Sequence, residues 1–289
     1  MGRNPRAEQS AAESFVWRTL CPPIDVLADF GAIGRDSMDP EALHQFRVAL
    51  RRLRSDLRSL RPLLDKRKVT ELRDRLSELD ELVRPVRDGD VMIERLSASA
   101  AQAHNPIDPE IVEAIHQYLT TSTDLAREKL LMVLESGTYY PLFAELAGLA
   151  SGDILRGGAV DDFPQELERL NKELWRRVRR AARSLPDDAD DADLHQLRVL
   201  AKRSRYLSEA SMPELGKSAK RRARDAARIQ WVLGEHQDSV VFSRKLLEMP
   251  RPTPAHTLAI DALLAVETDA RQRLRKRWRK VWRRVDRRG

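Results

Sequence analysis

One stretch, Leu43–Leu64 (LHQFRVALRRLRSDLRSLRPLL), constrains the fold more than any other. At about 100° per residue, Phe46, Leu50, Leu53, Leu57, Leu60 and Leu64 gather on one side of a helix. His44, Arg47, Arg51, Arg54 and Arg58 gather on another, within an arc of roughly 80°. The stretch then recurs. Leu194–Glu209 reads LHQLRVLAKRSRYLSE, and His195, Arg198, Lys202 and Arg205 fall at the steps of His44, Arg47, Arg51 and Arg54. A helical face written twice, about 150 residues apart, predicts an all-α chain with an internal duplication.

The match extends beyond that face. Lys217–Gly234 aligns with Lys66–Val83, which sets Arg224 on Arg73 and Leu233 on Leu82. Gly234–Asp238 (GEHQD) then matches Arg84–Asp88 (RPVRD) with one residue fewer in the spacing. Between these landmarks the chain reads as successive helices. Phe15–Leu20 and Ile24–Ile33 form one helix broken at Pro22-Pro23. Asp39-Pro40-Glu41 supplies a cap, a proline at the first helical position and a carboxylate for the dipole. Lys68–Arg84 is amphipathic and is punctuated or kinked by residues 85–90 before Val91–Ala101 resumes it. Glu110–Glu135, Tyr139–Leu149, Glu166–Leu185, Val240–Met249 and His256 to about Asp286 complete the set. The expected organisation is a flexible segment 1–13, a first bundle 14–150, a glycine-rich linker 151–165 and a second bundle 166–289.

Composition sharpens this. Forty-two per cent of residues are hydrophobic, enough for a sizeable core, and few aromatics with many Ala, Leu, Arg and Glu suit helix over sheet. The net charge of +7 is modest, so the clustering of positive charge matters more than its sum. The single Cys21 allows no internal disulfide and fits a reducing compartment. The start has no apolar signal core, and no run has the length to span a membrane, so a soluble cytoplasmic protein is expected.

A row of cations at steps of three and four sits about 5 Å apart along a helix and repels itself. A solvated surface stripe is the ordinary explanation of one such row, but it gives no reason for the row to repeat residue by residue. An anion that relieves the repulsion does. Arginine forks meet phosphate oxygens bidentately and keep their charge, and a histidine in the first turn adds a donor where the helix dipole already favours anions. His104, His116 and His256 read as ordinary surface residues, and Asp88 and Asp238 as structural carboxylates. His236 is balanced between packing and site. Trp278, Trp282 and Val285 in the basic C-terminal stretch read as core positions.

Catalytic patterns are missing. There is no HExxH, no paired CxxC and no GxxxxGK[ST] loop. No enzyme activity, metal or cofactor is expected.

The motifs HQFRVALRRLR (44–54), HQLRVLAKRSRY (195–206) and GEHQD (234–238) resemble those of the CHAD domain, named for its conserved histidine in an α-helical domain. The resemblance covers roughly residues 14–285. It implies two antiparallel four-helix bundles related by a pseudo-twofold around a basic central cavity that binds inorganic polyphosphate, in a stand-alone member without a fused triphosphate-tunnel domain. The implied polyphosphate face comprises His44, Arg47, Arg51, Arg54, Arg58 and Arg73, with His195, Arg198, Lys202, Arg205, Lys220, Arg221, Arg224 and Arg228. Attachment to polyphosphate granules, or recruitment of a granule-associated protein partner, would be its use; no membrane partner is expected. A nucleic-acid-binding helical protein is the alternative, disfavoured by the scarcity of aromatics on the basic face. A phosphohydrolase acting on polyphosphate or short phosphate chains is a third.

Overall fold

The computed structural model describes residues 10–32, 40–149, 154 and 162–287. Among them the fold is all-helical: α1 (Ala11–Ala32), α2 (Pro40–Leu60), α3 (Lys66–Ala100), α4 (Pro109–Glu135), α5 (Tyr140–Leu149), α6 (Phe163–Ser184), α7 (Asp191–Ala210), α8 (Met212–Glu248) and α9 (Pro254–Asp286). Asp39 and, of the expected 151–165 linker, residues 151–153 and 155–161 lie outside the described residues; the last three linker positions, 163–165, are the first of α6.

Carboxylate and hydroxyl caps start most of these helices. Asp65 accepts from the backbone amides of Arg67 and Lys68 at 2.9 and 3.0 Å, Asp190 from that of Asp193 at 2.7 Å, and Thr253 from that of His256 at 3.3 Å. Ser10 and Glu13 form a reciprocal capping box, at 2.6 and 3.2 Å. Helix α1 therefore begins at Ala11, inside the segment expected to be frayed.

Two expected interruptions are absent. Pro22 and Pro23 lie within α1, and Pro85 lies within α3. Each proline removes one intrahelical donor and costs about 3 kcal/mol in isolation. Burial on both sides outweighs that cost. Phe15, Val16 and Leu20 precede the pair and Ile24, Leu27 and Phe30 follow it, all buried, with α1 packed on α2 and α5. Conversely, Gly216 breaks α8 near its start. Its φ of 55° and ψ of −127° lie where only glycine is unstrained.

The chain forms two compact units, each drawing on both halves of the sequence. The first comprises residues up to Val83, Lys129–Leu174 and Tyr206–Ala223. The second comprises Arg84–Glu128, Trp175–Arg205 and Arg224 onwards. In the first, the leucine stripe of α2 (Leu50, Leu53, Leu57 and Leu60) is fully buried together with Leu72, Leu76 and Leu79 of α3. Phe30 stacks on Phe46, ring centroids 4.2 Å apart. In the second, Leu194 and Leu197 of α7 pack with Ile229 and Val232 of α8 and with Trp278, Trp282 and Val285 of α9. Another cluster in that unit joins Met92, Leu96, Ile115, Leu119, Phe242 and Leu263. Gly89 permits the close approach of α3 and α4, since a Cβ there would lie 2.0 Å from the Thr123 hydroxyl oxygen.

Candidate functional site

In the first unit the burial of the α2 leucines turns the opposite stripe outward. Arg47, Arg51 and Arg54 are half-buried, and His44 and Arg58 are exposed. Arg54 is anchored to α3: its guanidinium is ion-paired with Asp80 and donates to Ser77 Oγ at 3.0 Å. Ser77 itself donates to the Arg73 carbonyl at 2.8 Å. Arg73, one turn before Ser77 on α3, lies near the α2 cations. Burial and the neighbouring cations Arg58, Arg61 and Arg54 hold the Arg73 guanidinium below its ordinary value, against the opposing pull of Asp74. Four arginines, from α2, the turn that follows it and α3, thus crowd together. Arg51 keeps a buried Nε that no described residue accepts from.

Arg52, one step away on α2, does a different job. It lies 3.6 Å from buried Asp56 and 4.0 Å from Glu209, with its guanidinium over the Tyr206 ring at 5.5 Å from the centroid. Burial pushes the Asp56 carboxyl up to about 7, with Arg52 opposing the shift and Glu209 adding to it. This side of α2 is structural.

In the second unit the α7 face is more enclosed. His195, Arg198, Lys202 and Arg205 are all half-buried. His195 Nδ1 donates to Gln237 Oε1 of α8 at 2.9 Å, so in the neutral imidazole Nε2 is an acceptor that becomes a donor only on protonation. Burial lowers the His195 pKa, the Gln237 hydrogen bond opposes this, and Arg198, Lys202 and Arg84 lower it further. Arg84, from α3, therefore joins the group. His236 has a different place. It is buried, its Nε2 is 3.4 Å from Asp191 Oδ1, and Asp191 is held by Arg275 at 2.6 Å. Burial first, then Arg275 and Arg271 against Asp191, push His236 down to about 4, so it is a neutral packing group at pH 7.

The remaining predicted residues sit elsewhere. Lys220 and Arg221, in the first unit, and Arg224 and Arg228, in the second, are exposed. At about 100° per residue, Arg224 and Arg228 lie on the side of α8 away from Gln237. Arg228 pairs with Asp225 at 3.2 Å.

Sequence reasoning missed Arg61, Arg84 and the role of Gln237. Arg61 continues the spacing of the α2 row, so its signal was present. Arg84 aligns with a glycine, Gly234, and carried none. Gln237 lay inside a quoted motif, but only the folded chain pairs it with His195. Among the described residues no group of three or more His, Cys, Asp or Glu side chains is placed to hold a metal ion, and no helix is long and apolar enough to cross a membrane.

The model of the CHAD domain family matches residues 29–247. The chain belongs to the CHAD domain family. Solved structures agree on the fold. PptA from Streptomyces chartreusis superposes with a TM-score of 0.79 at 20% identity, covering 95% of this chain and all of that one. The CHAD domain from the plant Ricinus communis does so with a TM-score of 0.66 at 26% identity, covering 95% of this chain and 97% of that one. The uncharacterized protein Rv2226 of Mycobacterium tuberculosis strain H37Rv is 28% identical over 262 residues, and a counterpart from strain CDC 1551 matches equally. That alignment covers 86% of this CHAD chain and 47% of the relative, so the chain spans about half the length of the curated relatives it matches.

Proposed function

We propose that this CHAD domain binds inorganic polyphosphate, without catalysing its hydrolysis. The halves 14–150 and 166–289, joined by 151–165, are the units of duplication in this reading. The observation that supports it most is the crowding of Arg54, Arg58, Arg61 and Arg73, whose mutual repulsion a bound polyanion would relieve. The His195, Arg198, Lys202 and Arg84 group supplies a second such face. Polyphosphate has a charge on every residue and no base to read, so donors spaced along helices suit it better than one closed pocket. His44, Arg47, Arg51 and Arg205 extend the two faces. Lys220, Arg221 and Arg224 lie exposed and serve as long-range attraction. Such a protein would be held at polyphosphate granules or would bring a partner to them.

The test is titration with long-chain polyphosphate at about 0.15 M salt, with and without excess tRNA or duplex DNA. Tight binding that survives the nucleic acid is expected. Displacement by the nucleic acid would favour the nucleic-acid reading, and orthophosphate release on adding Mg²⁺ would favour a phosphohydrolase.

A further inference from the structure

The second unit carries a feature that polyphosphate does not explain. A groove of about 460 Å³ runs between α8 and α9, lined by Ala227, Arg228, Trp231, Val232, Arg277, Val281, Arg284 and Val285. Its floor is apolar. Val232 and Val285 are core residues and Val281 packs against that core, so the floor is backed by Trp278 and Trp282 and is preformed. Its walls are cationic. Arg228, Arg277 and Arg284 rim it; Arg228 also pairs with Asp225, and no carboxylate is among the described lining residues. Trp231 remains 52% exposed, with the Arg277 guanidinium 4.3 Å from its ring centroid. An exposed tryptophan over an aliphatic floor is uncommon on a surface this rich in charge.

The lining selects among ligands. Polyphosphate has no apolar surface to cover Trp231 and the valines. A nucleotide could stack its base on Trp231 and set its phosphates on the arginines, but one base is too small to cover the valine floor as well, and ATP competition tests this. Side chains that are apolar on one face and flanked by carboxylates satisfy both the floor and the rim. The lining residues of α9 run from Arg277 to Val285, about 12 Å of helix rise, or roughly two turns of a helix laid alongside. We propose that the groove between α8 and α9 docks an acidic amphipathic helix of a partner protein, with apolar residues at steps of three and four on Trp231 and the valines and Asp or Glu on the arginines. Arg228, assigned from sequence to the polyphosphate face, belongs to this groove. A polyphosphate-bound chain would then carry a protein partner on a separate surface.

The probe is a helix-stapled, fluorescein-labelled peptide with Leu at i, i+3, i+4 and i+7 and Glu flanking them, read by anisotropy against the full chain. It should bind the wild type and lose about tenfold or more in affinity with Trp231→Ala and with Arg277→Ala/Arg284→Ala. Trp231→Ala should bind long-chain polyphosphate as the wild type does, which also reports that the variant is folded. A version with Lys for Glu should not bind. The proposal is overturned if the acidic peptide fails to bind, if the Lys version binds equally, if both variants bind the acidic peptide as the wild type does, or if ATP displaces it.

Discussion

On α2 the basic face meets other arginines; on α7 the matching face meets a histidine held by a glutamine. The two faces begin from nearly the same sequence, HQFRVALRRLR and HQLRVLAKRSR. In the first unit His44 and Arg58 are exposed and Arg54 is tied to Asp80. In the second unit all four residues are half-buried, and His195 is oriented by Gln237 and surrounded by Arg198, Lys202 and Arg84. A repeated motif fixes which side of a helix is basic. The neighbours, which the repeat does not specify, decide whether that side is a charge reservoir or a titratable site.

Removing charge should produce the largest effects. Arg58→Ala/Arg73→Ala and Arg198→Ala/Lys202→Ala should each weaken polyphosphate binding about 100-fold, measured by calorimetry at fixed salt. A loss confined to one pair would break the equivalence of the faces.

Stability should diverge with pH in opposite senses. Asp56, raised to about 7, keeps its proton in the folded first unit while the unfolded chain has lost it, so its contribution falls as pH rises from about 4 to 7. Asp56→Asn should therefore be the more stable protein at pH 8, by on the order of 2 kcal/mol in urea unfolding, with the gain fading toward pH 4. His236, lowered to about 4, stays neutral in the folded second unit, so stability is lost as pH falls from about 6.5 toward 4. His236→Gln should flatten that acid limb by a similar amount.

Binding should be pH-dependent through the second face. A polyanion at His195 raises the depressed pKa of its imidazole, so affinity should rise about tenfold from pH 8 to pH 6. His195→Gln should abolish that rise; His44→Gln, at an exposed position, should leave most of it. Equal affinity of the wild type at the two pH values would remove the titratable role. The smallest effect is expected from Lys220→Ala/Arg221→Ala, less than about threefold in affinity, read mainly as a slower association rate at low salt.

Much of this architecture was legible because burial leaves a periodic trace. The α2 stripe, the family membership and Trp278, Trp282 and Val285 as core were readable from spacing and motif. The continuity of α1 and α3 was not, because a proline's local cost is visible in sequence while the packing of Phe15, Ile24 and Leu27 that overrides it is not. The Ser10–Glu13 capping box was legible and lay in a stretch read as frayed. Within the site, residues on one helix were found by arithmetic. Arg84 and Gln237 reach His195 from other helices, and no spacing rule relates them to it.

The proposed function requires that the α2–α3 face and the α7 face each bind polyphosphate. Its most direct test is calorimetric titration of long-chain polyphosphate, in excess tRNA, into the wild type, the two double variants and the combined Arg58→Ala/Arg73→Ala/Arg198→Ala/Lys202→Ala protein. The wild type should bind, each double variant should bind more weakly and the combined variant should not bind, with circular dichroism unchanged. Wild-type affinity in the combined variant would contradict it.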